Sequence, residues 1–68
     1  MERVYVNSSN LISVRYDEET QILELEFKNG IYQYYDVPDE IYEWLMAAQS
    51  HWKYFINSIK DKFICKKK

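Results

Sequence analysis

The Asn29-Gly30 dipeptide is the feature of this chain that most limits its fold. Apolar and charged residues alternate before it, and tyrosines occupy alternate positions after it. Asn-Gly between two such segments is typical of a type I′ hairpin turn, because both central residues of that turn need positive φ. The turn predicts a register in which Phe27 faces Tyr32. Leu25 then faces Tyr34, and both tyrosines point toward the core, since directly opposed residues share a sheet face.

The same register defines an outer face of the sheet. Glu24 and Glu26 lie on this face, beside Gln33 and Tyr35. One face of an antiparallel sheet is commonly solvated. We therefore interpret the two glutamates as surface residues rather than as a general acid–base pair.

Two further strands are predicted before the hairpin. Residues 4–6 are short and β-prone, and as a strand edge they are the segment that would pair in a homodimer. Residues 11–16 alternate in polarity, which places Ile12, Val14 and Tyr16 on the core face.

Two helices are predicted after the sheet. Pro38 suits the first position of one helix, and Ser50 suits the N-cap of the next, with one bent helix as the alternative. Helical spacing marks their apolar faces as Ile41, Trp44, Leu45 and Ala48, then Trp52, Phe55, Ile56, Ile59 and Phe63. The fold class is thus α+β: an antiparallel meander of three to four strands followed by two C-terminal helices packed on one sheet face.

Size and composition fit one domain over residues 1–68. The length of 68 residues leaves room for a single core, and an aromatic content of 18% makes that core dense. No apolar run is long enough to cross a membrane, no signal segment is evident, and Cys65 has no disulfide partner. We therefore expect a cytoplasmic setting without membrane contact.

Charge is divided unevenly along the chain. Residues 1–52 hold three basic and ten acidic side chains, whereas residues 53–68 hold six basic side chains and one acidic one. A basic segment of this kind can bind phosphates. We predict a flexible basic tail over residues 64–68 and a nucleic-acid site formed by Lys53, Tyr54, Lys60, Lys62, Lys66, Lys67 and Lys68.

Residues for catalysis or metal binding are few. His51 and Cys65 are the single residues of their types, and nothing in their spacing brings them together as a nucleophile and base. A structural zinc site needs about four such ligands, and a phosphate loop needs more glycine than Gly30 alone. We predict no enzymatic activity, no metal and no cofactor.

The chain resembles the KTSC domain family over about residues 4–63. The resemblance rests on the order and spacing of Asn7-Ser8-Ser9, Tyr16-Asp17, the strand before Gly30, Tyr32-Gln33-Tyr34, Val37-Pro38, Tyr42, Ala48 with Ser50, Tyr54-Phe55 and Ile59-Lys60. Three positions depart from the family pattern. Trp52 stands where glycine is frequent, Ile56 where asparagine is frequent, and Lys60 where arginine is usual.

The resemblance implies a short bacterial or phage domain that also occurs at the C-terminus of some lysyl-tRNA synthetases. It implies no established chemistry, although RNA binding has been suggested for the family. The signature residues are Ser8, Ser9, Tyr32 and Tyr34. We interpret them as structural, with serines in turn hydrogen bonds and tyrosines in the core; ligand stacking by the tyrosines is the alternative.

The leading hypothesis is a non-enzymatic binding module for RNA or a tRNA-associated partner, acting through the basic C-terminal helix and tail. The alternative is a protein-interaction module, such as a phage-encoded protein that docks on a host protein. That module would use the acidic face around Glu24, Glu26 and Tyr35, or an aromatic patch with Trp44 or Trp52. The RNA and protein hypotheses predict different salt dependence of binding, since phosphate contacts weaken steeply with salt.

Overall fold

The described residues form an antiparallel sheet of five strands and two helices. The computed structural model of the chain describes residues 3–8 and 10–68. In chain order, the elements are β1 (Val4–Tyr5), β2 (Leu11–Asp17), β3 (Ile22–Phe27), β4 (Gly30–Tyr34), α1 (Asp39–Ala47), α2 (His51–Ser58) and β5 (Cys65–Lys67). The strand order in the sheet is β1-β2-β3-β4-β5. The α+β class is confirmed, with one more strand than predicted.

The hairpin between β3 and β4 has a different register from the predicted one. Leu25 pairs with Tyr32, and Tyr34 pairs with Leu23. The predicted pairing of Phe27 with Tyr32 is therefore wrong by two residues, as is that of Leu25 with Tyr34. The predicted orientation of the tyrosines toward the core is confirmed, because a shift of two residues keeps each side chain on the same face.

Gly30 accounts for the changed register. It pairs directly with Phe27 and has a φ of 146°, whereas neither Lys28 nor Asn29 has the positive φ that a type I′ turn needs. A Cβ added at Gly30 would lie 2.8 Å from Cε of Lys67. Glycine thus allows β4 to begin immediately after a two-residue loop and leaves room for the Lys67 side chain.

A register shift in β2 changes which residues face the core. The shift lies between Leu11 and Ser13. Leu11 is fully buried together with Val14, whereas Ile12, which was predicted on the core face, is only half-buried. An irregularity of this kind resets the alternation of side chains by one position.

Two separate helices follow the sheet, as the break near Ser50 predicted. The Ser50 hydroxyl accepts a hydrogen bond from the Lys53 backbone N–H at 3.2 Å, which confirms it as an N-cap. Pro38 occupies the N-cap position of α1 rather than its first helical position. Trp44 and Ile56 were predicted on buried faces but are 57% and 40% exposed.

The core lies between the sheet and the helices. It consists of Leu11, Val14, Tyr16, Leu23, Leu25, Tyr34, Val37, Leu45, Phe55 and Ile59. Tyr16 stacks on Tyr42 with ring centroids 5.0 Å apart, and its hydroxyl donates to the Val37 carbonyl at 2.5 Å. Burial, followed by the nearby charge of Asp39, raises the pKa of the Tyr16 phenol.

The C-terminal segment differs from the predicted flexible tail. Cys65–Lys67 pair with β4 as an antiparallel edge strand. Backbone hydrogen bonds bracket the pairing, from Tyr35 to Ile64 at 2.9 Å and from Lys68 to Ile31 at 2.7 Å. The lysines led to the prediction of a tail rather than a strand. Charged residues are nevertheless common on edge strands, because they discourage further pairing.

The opposite edge of the sheet is β1, which pairs Val4 with Val14 and Tyr5 with Ser13. Pairing of this edge with a second copy of the chain stays a prediction. In the described part of the chain, neither helix has the length and apolar character needed to span a membrane.

Candidate functional site

A cleft opens between the β3–β4 hairpin and α2. Its volume is 470 Å³, within the range of about 300–1,000 Å³ that is usual for small-ligand sites. The lining residues are Asn10, Phe27, Lys28, Asn29, Tyr32, Tyr34, Trp52, Phe55 and Lys60. We call this site the aromatic cleft.

Aromatic rings from the sheet and from α2 form the walls of the aromatic cleft. Phe27 meets Tyr32 edge to face at 5.7 Å and Trp52 at 6.0 Å. Trp52 stacks on Phe55 at 5.5 Å. Phe55 is buried, whereas Phe27, Tyr32 and Trp52 are half-buried. Three rings are therefore packed well enough to be held in place and still reach the solvent.

Local structure explains why these rings meet. Phe27 and Tyr32 lie on the helix-facing side of the hairpin because they share that side with Leu25. Trp52 and Phe55 are three residues apart on α2, and side chains with this spacing lie on one face of a helix. The hairpin and the helix together place these four rings, and that of Tyr34, around one opening.

Cationic side chains flank these rings. Lys28 comes from the hairpin loop and Lys60 follows the end of α2. Lys67 of β5 places its Nζ 5.9 Å from the centre of the Tyr32 ring, a cation–π distance. No carboxylate occurs among the described residues that line the cleft. The site therefore combines aromatic surface with positive charge.

The predicted basic site is distributed over several surfaces instead of forming one patch. Lys60 reaches the aromatic cleft, whereas Lys53 and Lys62 are exposed away from its lining. Lys66 lies 6.0 Å from the centre of the Tyr35 ring, and Lys68 contacts Glu24. Because side chains alternate along β5, these last two lysines point to the face opposite Lys67.

Tyr54 was predicted to take part in nucleic-acid binding. The structure places it half-buried against the core rather than in the lining of the aromatic cleft. Its hydroxyl is buried and has no hydrogen-bond partner among the described residues. Tyr54 is therefore not positioned as a stacking surface.

The outer face of the sheet has a different polar arrangement. Glu24 was predicted to be solvated there but is 3% exposed. It forms an ion pair with Arg3, and its Oε1 lies 3.4 Å from Nζ of Lys68 and accepts from Gln33 at 3.1 Å. Glu26 accepts from the Ser13 hydroxyl at 2.7 Å. A buried carboxylate needs such partners, so this face is not the open acidic surface that the sequence suggested.

The family-signature residues have separate locations. Both tyrosines line the aromatic cleft, but Tyr34 is 6% exposed and belongs to the core, whereas Tyr32 is half-buried. Burial, followed by the hydrogen bond with Cys65, raises the pKa of the Tyr34 phenol. Ser8 is half-buried between β1 and β2, and Ser9 lies outside the described residues.

Candidate catalytic groups are not gathered at the aromatic cleft. His51 begins α2, and its Nδ1 lies 2.8 Å from the Leu45 carbonyl. Cys65 is exposed on β5, opposite Tyr34. The described residues contain no group of three or more His, Cys, Asp or Glu side chains that could hold a metal ion.

Sequence reasoning missed the position of Phe27 at the cleft because this residue follows the pattern of core residues. Trp52 was predicted on the buried face of its helix and, in the protein-interaction alternative, in an aromatic patch. One signal was available in the departures from the family pattern. Tryptophan replaces a frequent glycine at Trp52, and this ring now forms a wall of the aromatic cleft. No sequence signal indicated that Lys28 would line the cleft, because this position results from the approach of the hairpin to α2.

Comparisons with known proteins agree with this fold. A family model for the KTSC domain matches residues 7–63, a range that contains every residue lining the aromatic cleft. An uncharacterised protein of Stutzerimonas stutzeri is 46% identical over 63 residues, covering 91% of this chain and 89% of that protein. A crystal structure of a KTSC domain protein from Yersinia pestis has a TM-score of 0.96 at 38% identity, covering 98% of this chain and 96% of that chain.

A larger protein also contains a similar segment. A lysine–tRNA ligase of Trichormus variabilis is 44% identical over 50 residues. The match covers 72% of this chain and 9% of that enzyme. The sequence similarity therefore concerns a small part of the ligase.

Proposed function

This chain belongs to the KTSC domain family, and we propose that it is a non-enzymatic module that binds single-stranded RNA at the aromatic cleft. The proposal moves the RNA site from the C-terminal tail to the opening between the hairpin and α2. The reason is that Cys65–Lys67 are part of the sheet, and Lys68 is engaged with Glu24.

One observation carries the proposal: half-buried aromatic rings are flanked by lysines in a cleft whose described lining contains no carboxylate. Unpaired bases stack on aromatic side chains, and phosphates are attracted by nearby cations. The outer face lacks this combination because Glu24 and Glu26 lie at its centre. The similar segment in a lysine–tRNA ligase, an enzyme that by its name acts on tRNA, also supports an RNA partner.

Fluorescence anisotropy of a labelled single-stranded RNA at ~50 and ~200 mM salt tests the proposal, because phosphate contacts appear as a salt slope. The informative variant combines Lys28→Gln with Lys60→Gln. We expect weaker binding and a salt slope reduced by about 0.7 for each phosphate of the single strand that the two lysines contact.

The matched control combines Lys53→Gln with Lys62→Gln, which removes the same charge from exposed sites outside the cleft lining. The control should retain most of the salt slope of the unaltered chain. Equal losses in the two double variants would mean that the lysines act only through overall charge. Absence of RNA binding by the unaltered chain at both salt concentrations would overturn the proposal.

A protein-interaction module is the second candidate, favoured by Trp44. This side chain is 57% exposed on α1, and tryptophan is enriched among the residues that dominate protein interfaces. A partner captured by the unaltered chain should then be lost with Trp44→Gln and retained with the Lys28→Gln, Lys60→Gln variant. The opposite pattern would favour the RNA proposal.

A further inference from the structure

We infer that the aromatic cleft recognises one unpaired nucleotide at a time, with the base against Trp52 and Phe27 and the phosphate between Lys28 and Lys60. This inference rests on the proposed function and specifies the unit of RNA that the site takes. A free nucleoside monophosphate carries the same combination of planar base and phosphate. The nucleotide could therefore come from RNA or from a free monophosphate, and an experiment can distinguish these two sources.

The arrangement of rings limits the site to a single base. A binding track for several nucleotides needs several stacking surfaces along a groove. The exposed rings of Trp44 on α1 and Tyr5 on β1 lie elsewhere. The half-buried rings outside the cleft lining are Tyr35, Tyr42, Tyr54 and Phe63. The 470 Å³ of the aromatic cleft is a small-ligand volume. The chain thus offers one stacking position at this site.

Phe55 stacks on one face of the Trp52 ring, so we assign the opposite face of Trp52 as the main stacking surface within the cleft. Phe27 meets it at an interplanar angle of 81°, so the two rings form a corner rather than a flat wall. Tyr32 is less available because the Lys67 ammonium already lies 5.9 Å from the centre of its ring. A base lying on Trp52 would present its edge to Phe27, the edge-to-face geometry that aromatic pairs favour.

The lysines place the phosphate at the rim. Lys28 of the hairpin loop and Lys60 after α2 are both exposed and line the same cleft, which places two cationic side chains at its rim. Asn29 adds a carboxamide to this rim, which can both donate and accept hydrogen bonds. The polar rim and aromatic interior match the two ends of a nucleotide better than they match an apolar peptide.

Tryptophan fluorescence tests the inference directly. The chain has two tryptophans, so Trp44→Phe leaves Trp52 as the single reporter. Adenosine monophosphate should quench this reporter saturably, because the base stacks on the ring. Adenosine, which lacks the phosphate, should bind several-fold more weakly at low salt, and inorganic phosphate alone should give no quenching.

Two variants separate charge from stacking, the first made in the Trp44→Phe chain and the second in the chain that retains Trp44. Lys28→Gln with Lys60→Gln should weaken the monophosphate and leave adenosine unchanged, and these rim substitutions do not alter the core. Trp52→Leu, made in the chain that retains Trp44, should lower the affinity for a short single-stranded RNA about tenfold, a typical effect of losing one stacked base. Saturable quenching of Trp44 in that variant would contradict the assignment to Trp52.

The outcomes distinguish the inference from the function on which it rests. Quenching of Trp52 by RNA or by the monophosphate, together with loss of that quenching in the lysine variant, supports the inference. The ligand that quenches shows whether the nucleotide comes from RNA or is free. RNA binding without Trp52 quenching, and with full affinity in the Trp52→Leu variant, would overturn the single-nucleotide site while keeping RNA binding. Monophosphate quenching without RNA binding would retain the nucleotide site and overturn the RNA function. Failure of both ligands would overturn both.

Discussion

The helix-facing side and the outer side of the sheet both bring lysines close to aromatic rings, but their charges are balanced differently. Lys67 approaches Tyr32 on the helix-facing side, and Lys66 approaches Tyr35 on the outer side, at nearly equal distances of 5.9 and 6.0 Å. On the outer side a carboxylate is also present, because the buried Glu24 lies 3.4 Å from Lys68. The described lining of the aromatic cleft has none.

This difference shows that a count of lysines does not identify a phosphate site. The lysines of residues 53–68 look like one basic segment in the sequence. In the structure they are separated: Lys68 pairs with Glu24, Lys60 lines the aromatic cleft, and strand alternation places Lys66 and Lys67 on opposite faces of the sheet. The outer side is therefore expected to contribute stability, and the cleft to contribute binding.

Arg3→Met should give the largest effect of a single substitution among tests of this division. Glu24 is 3% exposed, and removal of its arginine partner leaves a buried carboxylate with weaker compensation. Breaking a buried pair typically costs 3–5 kcal/mol. Because Lys68 and Gln33 remain as partners, we expect about 2 kcal/mol, measured by urea unfolding, with unchanged RNA affinity.

Lys68→Met is the matched control for that variant. The Lys68 side chain is 56% exposed, and exposed ion pairs contribute between about 0 and 1 kcal/mol. Equal destabilisation by the two variants would contradict the view that the arginine is the principal partner of Glu24. A loss of RNA affinity in Arg3→Met at a temperature where the chain stays folded would break the proposed separation of the two faces.

Alkaline pH should lower the free energy of unfolding through two phenols that are buried on the helix-facing side. Burial raises the pKa of the Tyr16 and Tyr34 phenols in the folded chain, so these phenols bind protons more tightly there than in the unfolded chain. Stability is therefore full below about pH 10 and falls as the pH rises above it, by up to about 1.4 kcal/mol per pH unit for each phenol. Unfolding measured between about pH 9 and 11 should show this decline, and Tyr34→Phe should make it less steep. A pH profile unaffected by Tyr34→Phe would exclude this phenol as a contributor.

Gly30→Ala should have a smaller effect, of about 1 kcal/mol, because alanine is strained at a φ of 146°. The Lys67 side chain must also move away from the new Cβ. Asn29→Ala is the control and should cost less than about 0.5 kcal/mol, since Asn29 does not have positive φ. Thermal unfolding compares the two. A larger loss of stability for Asn29→Ala than for Gly30→Ala would contradict this assignment and support the type I′ turn that the sequence predicted.

The sequence was a good guide to which face each strand residue occupies, because side-chain alternation depends only on local backbone geometry. Tyr32 and Tyr34 point toward the helices even though their partners on β3 differ from the predicted ones. The register itself could not be read from Asn29-Gly30, since the position of the loop depends on how the backbone accommodates Gly30. Ser50 was predictable for a similar local reason, because an N-cap depends on residues within one helical turn.

Features that depend on distant partners were not predictable. The burial of Glu24 needs Arg3 and Lys68, which lie 21 and 44 residues away along the chain. The aromatic cleft is the space that remains between the hairpin and α2, and no local pattern specifies such a space. Phe27 therefore looked like an ordinary core residue, and Trp52 was predicted in a protein-binding patch rather than opposite Phe27, although both contribute to the walls of the cleft.

The short strand β5 also has a consequence for self-association. It covers the backbone edge of β4, where Tyr32 and Tyr34 would otherwise border an unpaired row of amide and carbonyl groups. Such an exposed edge with aromatic side chains is a template for intermolecular strand addition. Lys66 and Lys67 place like charges along the new outer edge instead. We therefore expect these three residues at the edge of the sheet to lower the tendency of the chain to aggregate.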